Sequence, residues 1–222
     1  MPPSTARAVR PIPDKPPLAE FIGNHPALDF HNTLAWPSPE GVNERFYSPQ
    51  DLINWCRTAG ILTTPEARAL TRRAQRHAGE ATRVLAEARR LRKILHDALS
   101  PIAHRKRVRE RDLDRLNTEV RRALASFRLG ESGRTITWAN DPRAGLSVIV
   151  HRLAWSAAQL LTSQELARLS SCANERCGWL FLDESRNQSR RWCSMEECGS
   201  RAKARRYYRR TKRGSGRKSA RI

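Results

Sequence analysis

No acidic residue follows Glu197 and no histidine follows His151 in this chain of 222 residues. The first absence leaves the C-terminal end uniformly cationic, and the second means that a metal site built there must use cysteine. Long apolar runs are missing as well. Leu146 to Leu153 is interrupted by His151 and Arg152, well short of the roughly 20 residues that a membrane-spanning helix needs, so no membrane association is expected. The N-terminal MPPSTARAVRPIPDKPP holds six of the thirteen prolines and no apolar stretch, which argues against a secretory signal and for a cytoplasmic protein. Gly-rich phosphate loops, nucleophile elbows and metal-spaced histidine pairs are also lacking. His25, His31, His77, His96, His104 and His151 are scattered and read as surface or packing residues. No nucleophile can be paired with a base, so an enzyme is not expected.

What the chain has in excess is positive charge: Lys+Arg 42 against Asp+Glu 22, a net +20. Such a balance points to a polyanionic partner, usually nucleic acid. The alternative is a generally basic composition in which arginine serves as the solubilising residue.

Residues 1–17 are too polar and proline-rich to bury a core and are expected to be a disordered leader. Residues 18–165 read as a mostly helical domain with a minor β component. FIGNHPALDFHNTLAW fits a short strand leading into a helix. Within it Asp29 and Asn32 are a candidate pocket for a small-molecule ligand, or else cap and turn residues that bond nearby backbone. Ser48-Pro49-Gln50-Asp51 starts a helix that Gly60 closes. Thr64-Pro65-Glu66 starts another, followed by a long amphipathic stretch with a break or kink near Ser100-Pro101. Leu113, Leu116, Val120, Leu124 and Phe127 form the next helical stripe, ended by LGESG. TITWAN, Thr135 to Asn140, reads as one strand. Asp141-Pro142 caps a last helix whose stripe, Leu146, Ile149, Val150, Leu153, Ala157, Leu160 and Leu161, belongs at the domain centre. Cys56, in LINWC, reads as a small core residue.

Residues 166–213 are organised by cysteine. Cys172 and Cys177, then Cys193 and Cys198, form two C-x4-C pairs fifteen residues apart. Four soft ligands brought as two close pairs suit one structural zinc ion. A redox dithiol is the competing reading, but C-x-x-C is absent. Gly178 and Gly199 follow the second and fourth cysteines, where a turn around a metal favours residues that accept positive φ. Trp179 to Leu182 reads as a strand and Ser189 to Trp192 as its hairpin return. Knuckle, hairpin, knuckle, helix is the order of a treble-clef finger. The overall expectation is therefore mainly α with a small β component (α+β), ending in a four-cysteine zinc finger.

From Cys172 to Ile222 there are fifteen Lys/Arg and five acids, an excess of ten that is half the charge of the whole chain. On a helical wheel at ~100° per residue, the segment after Cys198 keeps Ser200, Ala204, Tyr207, Tyr208 and Thr211 on one uncharged face, expected to pack, and is cationic elsewhere. Arg190, Arg191, Arg201, Lys203, Arg205, Arg206, Arg209 and Arg210 are the candidate nucleic-acid contacts. Arg176 and Arg201 have a second reading as donors to the thiolates. Residues 214–222 complete a flexible basic tail.

The segments CANERCGWLFLDESRNQSR and RRWCSMEECGSRAKARR closely resemble the CGNR zinc-finger proteins, in which the finger follows a domain called ABATE. ALDFHNTL resembles that domain's opening LDFxNT signature. The resemblance implies a stress-linked bacterial transcription regulator, with zinc on Cys172, Cys177, Cys193 and Cys198. One departure is Ser200, where the motif has asparagine; a serine can still bond at a helix start. The expected function is a zinc-dependent DNA-binding regulator, cytoplasmic and nucleoid-associated when bound to DNA. Its N-terminal domain would sense a ligand or assemble a homodimer. The alternatives are an RNA- or ribosome-associated protein without sequence readout, and a small-molecule-binding or enzymatic N-terminal domain around Asp29 and Asn32.

Overall fold

The computed structural model describes residues 21–34, 44–175 and 177–208. The proline-rich leader, the tail at 214–222, Arg176, Arg209 and Arg210 lie outside the described residues.

Helix α1 (Pro26–His31) begins where the His25 side chain accepts a hydrogen bond from Ala27 N, with proline in the first turn. The strand expected before it does not form. Residues 21–25 are irregular because Gly23 is drawn onto the helix: its N–H donates to Asp29 Oδ1 at 2.8 Å, and a Cβ there would lie 2.7 Å from Leu28 Cβ.

Helix α2 (Pro49–Thr58) carries a full capping box between Ser48 and Asp51, and Gly60 follows it at φ +71°. Helix α3 (Thr64–Arg76) is capped by Thr63 with Glu66, one residue before the expected start. The long stretch after it breaks at His77, not at Pro101. Helix α4 (Ala78–Ala103) runs through Pro101, which removes one hydrogen bond from a helix that ends two residues later anyway.

Helix α5 (Glu110–Ala125) turns a different face inward from the one its leucines suggest. Asp112, Leu116, Glu119 and Ala123 are buried while Leu113 and Leu124 are 40% and 46% exposed. Ion pairs allow this arrangement. Arg109 holds Asp112 at 2.5 Å, and Arg90 and Arg122 hold Glu119 at 3.3 and 3.2 Å.

LGESG does more than end that helix. It lies in β1 (Phe127–Ser132), which pairs antiparallel with β2 (Thr135–Asn140) around Gly133 at φ +60°. Asp141 then caps a 3-10 turn, Pro142–Ser147, whose Gly145 has φ +56°. It leads into α6 (Val148–Thr162).

Helix α6 packs against α1, α4 and α5, and its Leu153, Ala157 and Leu160 are fully buried. The central position read from its apolar stripe is observed. Phe30, Phe46 and Trp55 form an aromatic cluster beneath α1. Cys56 is buried beside them, and burial pushes its thiol pKa up. Among the described residues no helix is long and apolar enough to cross a membrane.

After a 3-10 turn (Gln164–Arg168), β3 (Leu169–Ser171) pairs antiparallel with β4 (Leu180–Leu182). Strand β4 therefore pairs backward, across the first cysteine pair. Ser189 to Trp192, the expected partner, forms no strand; its link to the first turn is one bond from Ala173 N to Arg191 O at 2.8 Å. The residues between are folded around Asp183, whose carboxylate accepts from Ser185 N, Ser185 Oγ and Arg190 N.

Candidate metal centre

The strands of β3 and β4 place the first cysteine pair in the turn that joins them. Cys172 N donates to Trp179 O, Cys177 N donates to Asn174 O, and Gly178 adopts φ +66°. Of the second pair, Cys193 precedes and Cys198 lies within a π-helical turn, Met195–Gly199, which is capped where Ser194 Oγ accepts from Glu197 N. Gly199, unlike Gly178, does not adopt a positive φ, and it lies against the flexible end of the exposed Met195 side chain. A Cβ on it would lie 2.9 Å from Met195 Sδ. Ser200, where the family motif has asparagine, donates from Oγ to Met195 O at 3.1 Å and so secures the same turn.

These two turns bring the sulfurs of Cys172, Cys177, Cys193 and Cys198 within 4.8 Å of one another, all buried. Cys177 and Cys193 Sγ are 3.6 Å apart. A tetrahedron with metal–sulfur bonds of ~2.3 Å has edges of about 3.8 Å, so the donor set fits a tetrahedral thiophilic ion. The thiols do not titrate independently. Hydrogen bonds from Cys177 and Cys193 hold the Cys172 pKa down, and bonds with Cys172 push those of Cys177 and Cys193 up. Four thiolates can share so small a space only around a cation.

One residue of this centre carried no sequence signal of its own. Asn174, buried between the first two cysteines, donates from Nδ2 to Cys198 Sγ at 3.3 Å, and its Oδ1 accepts from Arg205 Nη2 at 3.2 Å. It ties the first turn, the fourth sulfur and the terminal helix together, an arrangement that orients a ligand and tempers its charge.

The expected nucleic-acid contacts within the described residues separate into three groups. Arg190 points inward. Its guanidinium donates to the carbonyls of Ile22, Trp192 and Cys193 and lies 4.1 Å from the centre of the Phe181 ring. It is a brace for the cage. Arg205 is exposed but linked to Asn174, and Arg201 pairs with Glu197 at 3.6 Å instead of reaching a sulfur. Arg191, Lys203 and Arg206 are exposed, and no acid is bonded to them among the described residues. The helix over 200–208 does not pack as its wheel predicts. Ala204 is exposed, and Tyr207 and Tyr208 are 65% and 67% exposed, their rings in edge contact at 5.9 Å.

Asp29 and Asn32 both bond backbone. Asp29 anchors Gly23, and burial raises its pKa to about 6. Asn32 acts as a stand-in strand: Nδ2 donates to Leu180 O at 2.8 Å while Oδ1 accepts from Leu180 N at 2.9 Å. Beside it the buried His31 contacts Asn32 Oδ1 at 3.0 Å and His96 Nδ1 at 3.1 Å. Thr33 Oγ1 donates to Phe30 O and accepts from the buried Arg92. The segment LDFHNT is thus the joint between α1 and the cysteine module. Trp179 Nε1, donating to Leu34 O at 3.1 Å, extends it.

Two family models match parts of the chain. No curated protein matches the sequence. Residues 168–211 match the family described as CGNR zinc finger, and residues 24–164 match ABATE, described as "Putative stress-induced transcription regulator". With more than half its length matched by the second of these, the chain belongs to the ABATE family and carries a CGNR zinc finger after that domain.

Proposed function

We propose that this chain is a zinc-dependent DNA-binding regulator, acting in the cytoplasm on the nucleoid. Cys172, Cys177, Cys193 and Cys198 would hold one zinc ion, which supplies a cross-link and compensates the thiolate charge. Four protein thiolates complete a tetrahedral shell and leave no position for an activated water, so the role is structural. Asn174 orients Cys198, and Arg190 braces the turn between Trp192 and Cys193.

The observation that carries the reading is the helix leaving the fourth cysteine. Over 200–208 it has no acid and exposes Arg201, Lys203, Arg205 and Arg206, with Arg191 exposed on the adjoining loop. Cations on a helix whose base is fixed to a rigid cage suit a phosphate-lined groove. A mobility-shift titration against genomic fragments tests it. Binding should weaken steeply with salt, with a log–log slope of about −0.9 for each phosphate neutralised, and should be lost in Cys193→Ser. Unchanged binding by that variant would overturn the reading.

One observation favours a second reading. Tyr207 and Tyr208 stand exposed among the arginines, as rings that stack on unpaired bases do. An RNA-binding role therefore stands as the alternative. Competition between duplex DNA and structured RNA separates the two, and a loss of affinity in Tyr207→Ala confined to RNA would select the alternative.

A further inference from the structure

The helical domain contains a groove of about 770 Å³ between α3, β2 and the start of α6, within the roughly 300–1,000 Å³ of small-molecule sites. One wall is Trp138, 60% exposed in spite of its size. Residues directly opposite in an antiparallel pair share a face, so Leu129 and Trp138 lie on one side of the hairpin. Phe127 meets Trp138 edge-on at 6.3 Å and also touches Trp155, which fixes the indole from the domain side. Leu70 of α3 lines the same groove.

The acids and cations of the groove are unequally engaged. Glu66 is held by Arg152, and the Asp141 carboxylate accepts from Arg143 N at 2.8 Å. Arg152 is itself saturated, with Glu66, Ile61 O and Asn140 Oδ1 as acceptors. Arg73 and Arg76 differ. Arg73 uses only Nε, on Glu80, and Arg76 only Nε, on Arg72 O. The Nη groups of both make no hydrogen bond among the described residues, and a spacing of three puts them on one face of α3. Asn140 adds a buried Nδ2 with no hydrogen-bond partner in the same wall. The groove therefore offers an aromatic surface and spare donors, while its acids are already committed.

We propose that this groove binds a small aromatic carboxylate, its ring against Trp138 and Leu70 and its carboxylate on the guanidinium forks of Arg76 and Arg73. Planar bidentate pairing of this kind selects carboxylate over a point-charge anion. The site goes beyond the nucleic-acid reading and stands without it, since no residue of the cysteine module takes part.

The test is calorimetric and NMR titration of the full chain with benzoate and naphthoate, using acetate, benzyl alcohol and benzylamine as controls because a basic chain attracts any anion weakly. The aromatic carboxylates should bind saturably and shift the indole N–H resonance of Trp138, and the controls should not. Trp138→Ala and Arg76→Gln, both at exposed positions, should each weaken binding at least about tenfold while circular dichroism stays that of the parent. The proposal is overturned if no saturable binding occurs, if benzylamine or acetate binds as well as benzoate, or if both folded variants bind like the parent.

Discussion

In the helical domain, Leu91, Leu95 and Leu99 of α4 close one continuous core with Leu153 and Leu160 of α6, whereas the cysteine module has chiefly Trp179 and Phe181 packed beside its four sulfurs. The module is not held by sulfur alone. Leu169, Leu180 and Leu182 of its strands belong to the core of the helical domain. Its near half is thus anchored by apolar burial and by Asn32, and its far half, from Cys193 onward, by the sulfur cage and Asn174.

Removing the cage should have the largest effect. Structural zinc contributes ~10–16 kcal/mol to the folding of isolated fingers, so Cys193→Ser or a strong chelator should release residues 193–208. Hydrogen exchange checks this: protection should vanish there while α4 and α6 keep theirs. Equal loss in α6 would show that the two regions form one cooperative unit and would break the comparison.

Next is the joint. Asn32→Ala leaves Leu180 N–H and C=O buried without their partners, at ~1–3 kcal/mol for each group. Urea unfolding should record the loss, and the metal content should hold while exchange at β4 rises. A variant as stable as the parent would mean that the strands are held by their leucines alone.

His31 gives the joint a pH dependence. Burial pulls its pKa from 6.5 to about 3, so the unfolded chain takes up the proton first. The contribution of neutral His31 is complete above about pH 6.5 and is lost as pH falls toward 3. Asp29, raised from 3.8 to about 6, acts in the opposite sense, so the informative quantity is a difference. Between pH 6.5 and 5, the stability of His31→Gln relative to the parent should rise by up to ~1.4 kcal/mol per pH unit. A flat difference would refute the assignment.

The smallest effect is expected away from the joint. Ser48→Ala removes the α2 cap at a cost of ~1 kcal/mol, seen in the unfolding midpoint and with metal and DNA binding unchanged.

Features set by short stretches of chain were legible in the sequence. The paired cysteines declare a site because two tight turns deliver the sulfurs whatever lies between them. The Ser48 cap and the α6 stripe were readable because each depends on neighbours within a turn or two. Pattern failed where distant partners decided. The stripe Leu113, Leu116 and Leu124 misplaced the inner face of α5, because Arg90, Arg109 and Arg122 allow Asp112 and Glu119 to be buried in its place. LGESG read as a terminator because the glycine within β1 obscured its pairing with TITWAN. Arg190 read as a surface cation because nothing in the sequence places Ile22 and Phe181 beside it.

The sequence by itself thus determined the helical class, the gathering of four cysteines and the cationic end, since each is written in composition or short-range spacing. Tertiary structure decided that Asp29 and Asn32 bond backbone at the joint, that a groove opens beside Trp138, and that Tyr207 and Tyr208 are exposed. The physical reason is the same in each case. A polar or aromatic side chain is buried or exposed according to which partner reaches it, and that partner is brought by the fold from far along the chain.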